Sequence, residues 1–401
     1  MLRHISIDEL RLGMYIHEFC GSGIDNHLWK NGFLLQSDQD LKRIRDVGIA
    51  QLWINVCKGV DAGIKPCEGV TQSVSAPTAE LEFREEIGNA VRLCARSKAA
   101  VMAMFSDLRM GKVVQTAQVV ELVGEISESL IRNPDALISL ARLKTADEYT
   151  YMHSVAVCAL MIALARRLGL SSDRVHQAGI AGLMHDIGKA AIPIAILNKP
   201  GKLCEGEFET MRGHPEAGAH MLSGNPIFTP DVIDVCLHHH EKVDGSGYPH
   251  RLVGKHISLF AKMGAVCDVY DAVTSDRPYK KAWEPAYSIR QMAEWEGHFD
   301  DRVFQAFVKC VGIYPVGALV RLQSGMIGVV IEQSGHSLLM PKVKVFYCAT
   351  ARKEIPHVII DLSLSPQADR IVSREAAQSW GFTNIDSLWS GLSAKEGTLF
   401  E

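Results

Sequence analysis

The twelve residues His238-His239-His240-Glu241-Lys242-Val243-Asp244-Gly245-Ser246-Gly247-Tyr248-Pro249 decide how the rest of the chain is read. Three adjacent imidazoles close an apolar run and an acidic, glycine-rich turn follows at once, which sets metal-ligand chemistry beside backbone that can bend tightly. Such a segment needs partners from elsewhere. The sequence supplies His153, His185-Asp186 and His214 upstream, and Asp268 downstream.

Length and composition bound what these residues serve. At 401 residues the chain exceeds one ordinary core, so two or three domains are expected. A hydrophobic fraction of 47% with 22% charged residues is that of a globular protein rather than a disordered one. A net charge of -4 argues against a nucleic-acid polymer as partner, while leaving room for a small anion held by a few local cations. The ten cysteines stand singly with no CxxC pair, which reads as reduced core residues. The N-terminus has no apolar run of signal-peptide length, and the longest apolar run, residues 155–165, is too short to cross a bilayer. A cytoplasmic protein without a transmembrane segment is expected.

In chain order, residues 1–68 mix short alternating segments with turns and a short amphipathic helix at about 39–47, predicting a small α+β module. A shift to Ser, Thr, Pro, Val and Ala over 69–78 marks a linker, and two helical patterns follow at about 79–110 and 115–131, so 69–135 is read as linker and helices. Those helices either pack on the next domain or form a dimer seam. Residues 136–315 read as nearly all helix: one carries His153 near its start, one ends in His185-Asp186, one at about 205–222 carries His214, one ends in the triple histidine, and one at about 259–273 contains Asp268. From 316 to 401 the texture becomes short strand-like runs at 316–322, 327–331 and 342–346, with a tail from 361. The fold class expected is multi-domain and mainly α, with a small N-terminal α+β module and a β-rich C-terminal segment.

Histidine placement carries the first chemical signal. Ten of the sixteen histidines lie between His153 and His256, where length alone gives roughly four. His185-Asp186 adds a neutral imidazole and a carboxylate in adjacent positions, able to address two metals from one turn with the carboxylate shared. Ile187-Gly188-Lys189 then ends the helix and leaves an ammonium about a turn away.

Together, His153-Ser154, His185-Asp186-Ile187-Gly188-Lys189, His214-Pro215-Glu216, His239-His240-Glu241 with Asp244-Gly245-Ser246-Gly247-Tyr248-Pro249, and Asp268-Val269-Tyr270-Asp271-Ala272 through Arg277-Pro278-Tyr279-Lys280 resemble the HD-GYP domain. That is a bacterial phosphodiesterase branch of the HD superfamily of metal-dependent phosphohydrolases. Residues 1–68 look like the N-terminal module often found ahead of such domains. The resemblance implies a helical HD-domain bundle over 136–315 and hydrolysis of cyclic di-GMP to pGpG or onward to GMP.

The chemistry of the residues agrees with that implication. A phosphodiester is anionic and slow to hydrolyse, so a site must generate hydroxide and neutralise phosphoryl charge, which a two-metal centre does. Carried over from the family, His153, His185, Asp186 and Asp268 would hold one ion, and Asp186, His214, His239 and His240 the other. Mixed imidazole and carboxylate ligation favours Fe or Mn, with Ni or Zn next. Lys189 would steady the scissile phosphate or protonate the departing oxygen, Tyr248 would touch substrate, and Arg277 and Lys280 would bind phosphate or guanine edges.

Two departures from the family pattern stand out. Where some members place a glutamate four residues before the first histidine for a third metal, this chain has Tyr149, so two ions are expected. On a regular helix His239 and His240 point about 100° apart, so His240 joins the site only if the helix ends there. Two other functions are weighed: a non-catalytic cyclic di-GMP receptor, disfavoured by the complete ligand set, and an HD-superfamily enzyme for another nucleotide, disfavoured by Gly247-Tyr248-Pro249. A homodimer or a signalling-protein partner would supply regulation.

Overall fold

The computed structural model describes residues 2–20, 33–35, 41, 42, 44, 51–55, 76–141, 149–199, 201–275, 282–334, 337–364 and 369–391. They divide into two compact units, Met1–Ser75 and Ala76–Glu401.

The first unit is an antiparallel sheet of β1 (Leu2–Ser6), β2 (Tyr15–Cys20), β3 (Phe33–Leu34) and β4 (Gln51–Asn55), in the order β1-β4-β2-β3. Period-two alternation builds it: Leu52 and Ile54 are buried while Trp53 between them is exposed. Leu10, Met14, Ile16, Leu35 and Ile44 complete a small core. Of the helix expected at 39–47, residues 41, 42 and 44 are described, and they are helical.

The second unit begins with α1 (Ala76–Arg109), α2 (Thr116–Arg132) and α3 (Pro134–Ala141). Ile87, Cys94, Val101 and Phe105 on α1 and Val119, Leu122, Val123, Ile126 and Leu130 on α2 recur at helical spacing. They belong to one continuous core with the helices that follow. α4 (Tyr149–Arg167) is the centre of that core, since a helix apolar all round is stable only when covered on every side. Val155, Cys158, Met161, Ile162 and Ala165 are all fully buried. The run that is too short for a membrane is therefore the hydrophobic axis of this unit, and among the described residues no helix is long and apolar enough to cross a membrane.

The helices that follow are α5 (Ser172–Met184), α6 (Ile194–Leu197), α7 (Glu205–Arg212), α8 (His214–Leu222), α9 (Pro230–His238), α10 (Leu259–Thr274), α11 (Pro285–Glu294) and α12 (Asp301–Val311), of which α5, α10 and α12 pack directly on α4. The single helix expected at 205–222 is two, α7 and α8, separated at Gly213. Pro215 is the cause: it has no N–H to continue the ladder and is tolerated only at the start of a helix.

The C-terminal part is a five-stranded antiparallel sheet of β5 (Leu319–Leu322), β6 (Met326–Glu332), β7 (Lys342–Cys348), β8 (Lys353–Asp361) and β9 (Ile371–Arg374), in the order β8-β7-β6-β5-β9. The region read as a tail from 361 contains structure: β9 pairs with β5, and α13 (Ala377–Trp380) and α14 (Ile385–Ser390) cover the sheet, with Trp389 buried. β9 is short and half polar, so alternation alone did not mark it.

Candidate metal centre

Helix ends position most of the cluster. α5 stops at Met184, leaving His185 as its C-cap and Asp186 as the entry to a 3-10 turn, Ile187–Ala191. His214 opens α8 directly after the break at Gly213. α9 ends at His238, so His239 caps it and His240 leaves the helix, which brings both rings to one place despite their adjacency. His153 and Asp268 come from inside α4 and α10.

Close backbone approach sets the spacing between two of these segments. A Cβ on Gly188 would lie 1.9 Å from the His214 carbonyl oxygen and 2.5 Å from the Gly218 nitrogen. Only glycine fits there, and its absence of side chain lets the His185-Asp186 turn touch the start of α8.

Two groups of side chains result, each with its ligand atoms within 4.8 Å of one another: His153, His185 and Asp268, and Asp186, His214, His239 and His240. Asp186 faces both. Its Oδ2 lies 3.4 Å from His153 Nε2 and 3.3 Å from His185 Nε2, while its Oδ1 lies 3.2 Å from His214 Nε2 and 3.7 Å from His239 Nε2. Asp268 places Oδ1 3.0 Å from His153 Nε2 and Oδ2 3.6 Å from His240 Nδ1.

The hydrogen bonds behind the rings decide what fits between them. His214 Nδ1 donates to the Met211 carbonyl at 2.7 Å, and His239 Nδ1 donates to those of Val235 and Cys236 at 3.0 Å each. A carbonyl only accepts, so both protons sit on Nδ1 and both Nε2 atoms present lone pairs. Those Nε2 atoms face each other at 3.4 Å, and the buried Asp186 Oδ1 beside them receives no hydrogen bond. Three acceptors converging without a proton fit a cation. His185 repeats the pattern, its Nδ1 donating to the Gly182 carbonyl at 2.8 Å and its Nε2 turned to His153 Nε2 at 3.2 Å.

Protonation follows the same logic. Burial would raise Asp186, but the Lys189 ammonium and His185 outweigh it and hold the carboxyl well below its ordinary range. Asp268 is likewise held low against burial by its hydrogen bond to His153 and by His240. Burial, then the charges of His240 and His185, push His239 well below the usual imidazole value, and burial takes His240 to about 3. His185 goes the other way: burial would lower it, yet the Asp186 and Asp268 carboxylates raise it.

A cavity of about 1060 Å³ opens beside the cluster, lined among others by Lys189, Arg212, Lys242, Tyr248 and His298. Lys189 donates its Nζ to Asp186 Oδ2. Tyr248 stacks on His240, ring centroids 4.6 Å apart and 26° between planes. Gly247 makes that possible, since a Cβ there would meet Glu241 Cα and Lys242 N at 2.5 Å each. Arg277 and Lys280 lie outside the described residues.

Three residues without an assigned role in the sequence reading belong to the surroundings of the cluster. Asp271 Oδ2 accepts from His153 Nδ1 at 2.6 Å; its signal was the i, i+3 spacing from Asp268, which puts both carboxylates on one helix face. The buried Glu241 accepts from the backbone N–H groups of His250 and Leu252 at 2.7 and 3.0 Å, fixing the turn that carries Tyr248. Arg212 holds its guanidinium 4.6 Å over the Tyr248 ring.

Comparison with known proteins agrees with this architecture. The model of the HD domain matches residues 126–303, and that of a domain of unknown function, DUF3391, matches residues 2–119. Cyclic di-GMP phosphodiesterase PA4108 of Pseudomonas aeruginosa is 54% identical over 100% of this chain and 99% of its own length. The cyclic di-GMP phosphodiesterase response regulator RpfG of Xanthomonas campestris is 40% identical over 43% of this chain and 47% of its own. The 3'3'-cGAMP-specific phosphodiesterase 1 of Vibrio cholerae is 35% identical over 40% of this chain and 38% of its own. The chain belongs to the HD-GYP phosphodiesterases of the HD-domain family. An HD domain binds divalent metal, and the His/Asp cluster is one that could hold it.

Proposed function

We propose that this chain is a metal-dependent phosphodiesterase that hydrolyses cyclic di-GMP to pGpG, GMP or both. The observation that carries the reading is the pair of unprotonated Nε2 atoms of His214 and His239 facing each other beside the unbonded Asp186 Oδ1. In this reading two divalent ions are held, one by His153, His185, Asp186 and Asp268 and one by Asp186, His214, His239 and His240, with Asp186 shared. Iron or manganese suits the mixed donors best, with nickel or zinc next. No third ion is expected, because Tyr149 stands where the family's extra carboxylate would be.

Bound ions supply Lewis-acid neutralisation of phosphoryl charge and acidify water. The chain's own groups do the rest. Lys189, anchored on Asp186, is near enough to the cluster to hold a phosphate oxygen or give its proton to the departing ribose oxygen. Tyr248, kept neutral because burial raises its phenol, offers an apolar face and a hydroxyl donor to the dinucleotide. Arg277 and Lys280 are assigned to phosphate or guanine edges. The test is incubation of the purified protein, loaded with Fe, Mn, Ni or Zn, with cyclic di-GMP, followed by chromatography of products. Appearance of pGpG or GMP is expected; tight binding without turnover under every metal would instead make the chain a cyclic di-GMP receptor.

A further inference from the structure

We infer that Arg212 is a substrate-binding residue that holds the phosphate of the dinucleotide not being cleaved. The inference rests on the phosphodiesterase reading above and assigns a further contact within the same site.

Arg212 is the last residue of α7, two residues before His214, and it lines the cavity beside the metal cluster. Its guanidinium lies over the Tyr248 ring at 4.6 Å, and Tyr248 in turn lies on His240, so the cation sits one ring further out from the ligands. Phe208, one helical turn earlier, approaches the same guanidinium at 5.8 Å. Stacking uses the faces of the guanidinium and leaves its N–H edge available.

Of the lysines that line the cavity, Lys189, Lys199 and Lys242, the first two differ in that respect. Lys199 is paired with Glu207 at 2.6 Å, and Lys189 is held by Asp186. Arg212 is partly buried, yet its side chain makes no hydrogen bond or ion pair with any described residue. A guanidinium fixed by two aromatic rings, facing a cavity with its five donors unspent, matches the two oxygens of a phosphodiester in a fork-to-fork contact. A cyclic dinucleotide has two such groups. When one lies over the ions, the second needs its own cation, and the outward offset through Tyr248 provides one.

The test compares wild type, Arg212→Ala and Arg212→Lys on two substrates with the manganese-loaded full chain: cyclic di-GMP, and bis(p-nitrophenyl) phosphate, which has one phosphodiester only. Arg212→Ala is expected to lower kcat/KM for cyclic di-GMP roughly 10- to 150-fold, mainly through KM. The loss should exceed that for bis(p-nitrophenyl) phosphate by at least tenfold, and Lys, which keeps the charge but neither the fork nor the stacking, should recover only part of it. Equal losses on both substrates would make Arg212 a mere support for Tyr248 and overturn the assignment, as would no loss on cyclic di-GMP. A loss confined to cyclic di-GMP that Lys leaves wholly unrecovered, so that charge alone makes no difference, would overturn the phosphate in favour of a base edge. If wild type cleaves the single phosphodiester but not cyclic di-GMP, the assignment of cyclic di-GMP as substrate itself fails, a result distinct from the others.

Discussion

Arg109 grips the turn that carries Lys189: its guanidinium donates to the Lys189 carbonyl and to that of Ile192, each at 3.1 Å. The 34-residue α1 thus ends on the backbone directly behind the cavity's ammonium. The Lys189 carbonyl already accepts from the Ile192 N–H at 3.1 Å, so the guanidinium fills its second acceptor position and ties it to the Ile192 carbonyl. Arg109→Ala should loosen that turn and lower kcat about three- to tenfold, since small misplacements of a reacting group are costly. KM and metal content should stay near wild type. Steady-state kinetics beside elemental analysis checks this, and a fall in bound metal would show that Arg109 supports the ligands instead.

Asp271 has no ligand role in the proposed site, yet His153 depends on it for tautomer and orientation. Partners of this kind typically contribute 10- to 100-fold in metal affinity or activity, roughly. Asp271→Ala is expected to weaken metal binding within that range, measured by competition against a chelator. Asp271→Asn, which retains an acceptor oxygen, should lose less.

Removing the shared carboxylate is the more severe change. Asp186→Ala should cost at least about 10³-fold in rate, by the scale of metal-catalysed effects, and reduce the metal content below the two ions per chain expected of wild type. Three equivalents in the wild-type protein, with anomalous density beside Tyr149, would count against the two-ion site.

A prediction about stability lies away from the chemistry, where α1 meets α2. Glu86 is buried, accepting from Ser129 Oγ at 2.9 Å and from Arg132 Nε at 2.8 Å. Burial would raise its carboxyl, but Arg132 and Ser129 together hold it below the ordinary value of 4.5. A depressed folded pKa means the stabilisation is complete above that unfolded value and is lost as pH falls through the folded one. Glu86→Gln should therefore be less stable than wild type at pH 7, by about 1 kcal/mol given that Arg132 is half-exposed. The gap should close on acidification below pH 4.5, read from denaturant midpoints at several pH values.

The positions of the His/Asp cluster were legible because chemistry and punctuation coincide in the sequence. His185, His214 and His239 each stand where a helix stops or starts, and Gly188, Pro215 and Gly247 announce those points. The central α4 was legible as an apolar run, although only packing reveals that it is an axis. Arg212 was not, because a cation in the last turn of a helix reads as an ordinary complement to the helix dipole. Its meaning comes from Tyr248, 36 positions later, folding back over it. Asp271 was passed over for a similar reason: its partner His153 is 118 residues away. The split of α7 from α8 turned on Pro215, which periodicity alone overrode.

The contact of Gly188 with the start of α8 decides who sets the dimensions of the centre. Because main chain rests on main chain there, the gap between the His185-Asp186 pair and His214 cannot shrink around a small ion, and the packed helices oppose its widening around a large one. A difference in radius between one ion and another would therefore have to be met by the side chains, because the spacing of these two segments is set by backbone contact.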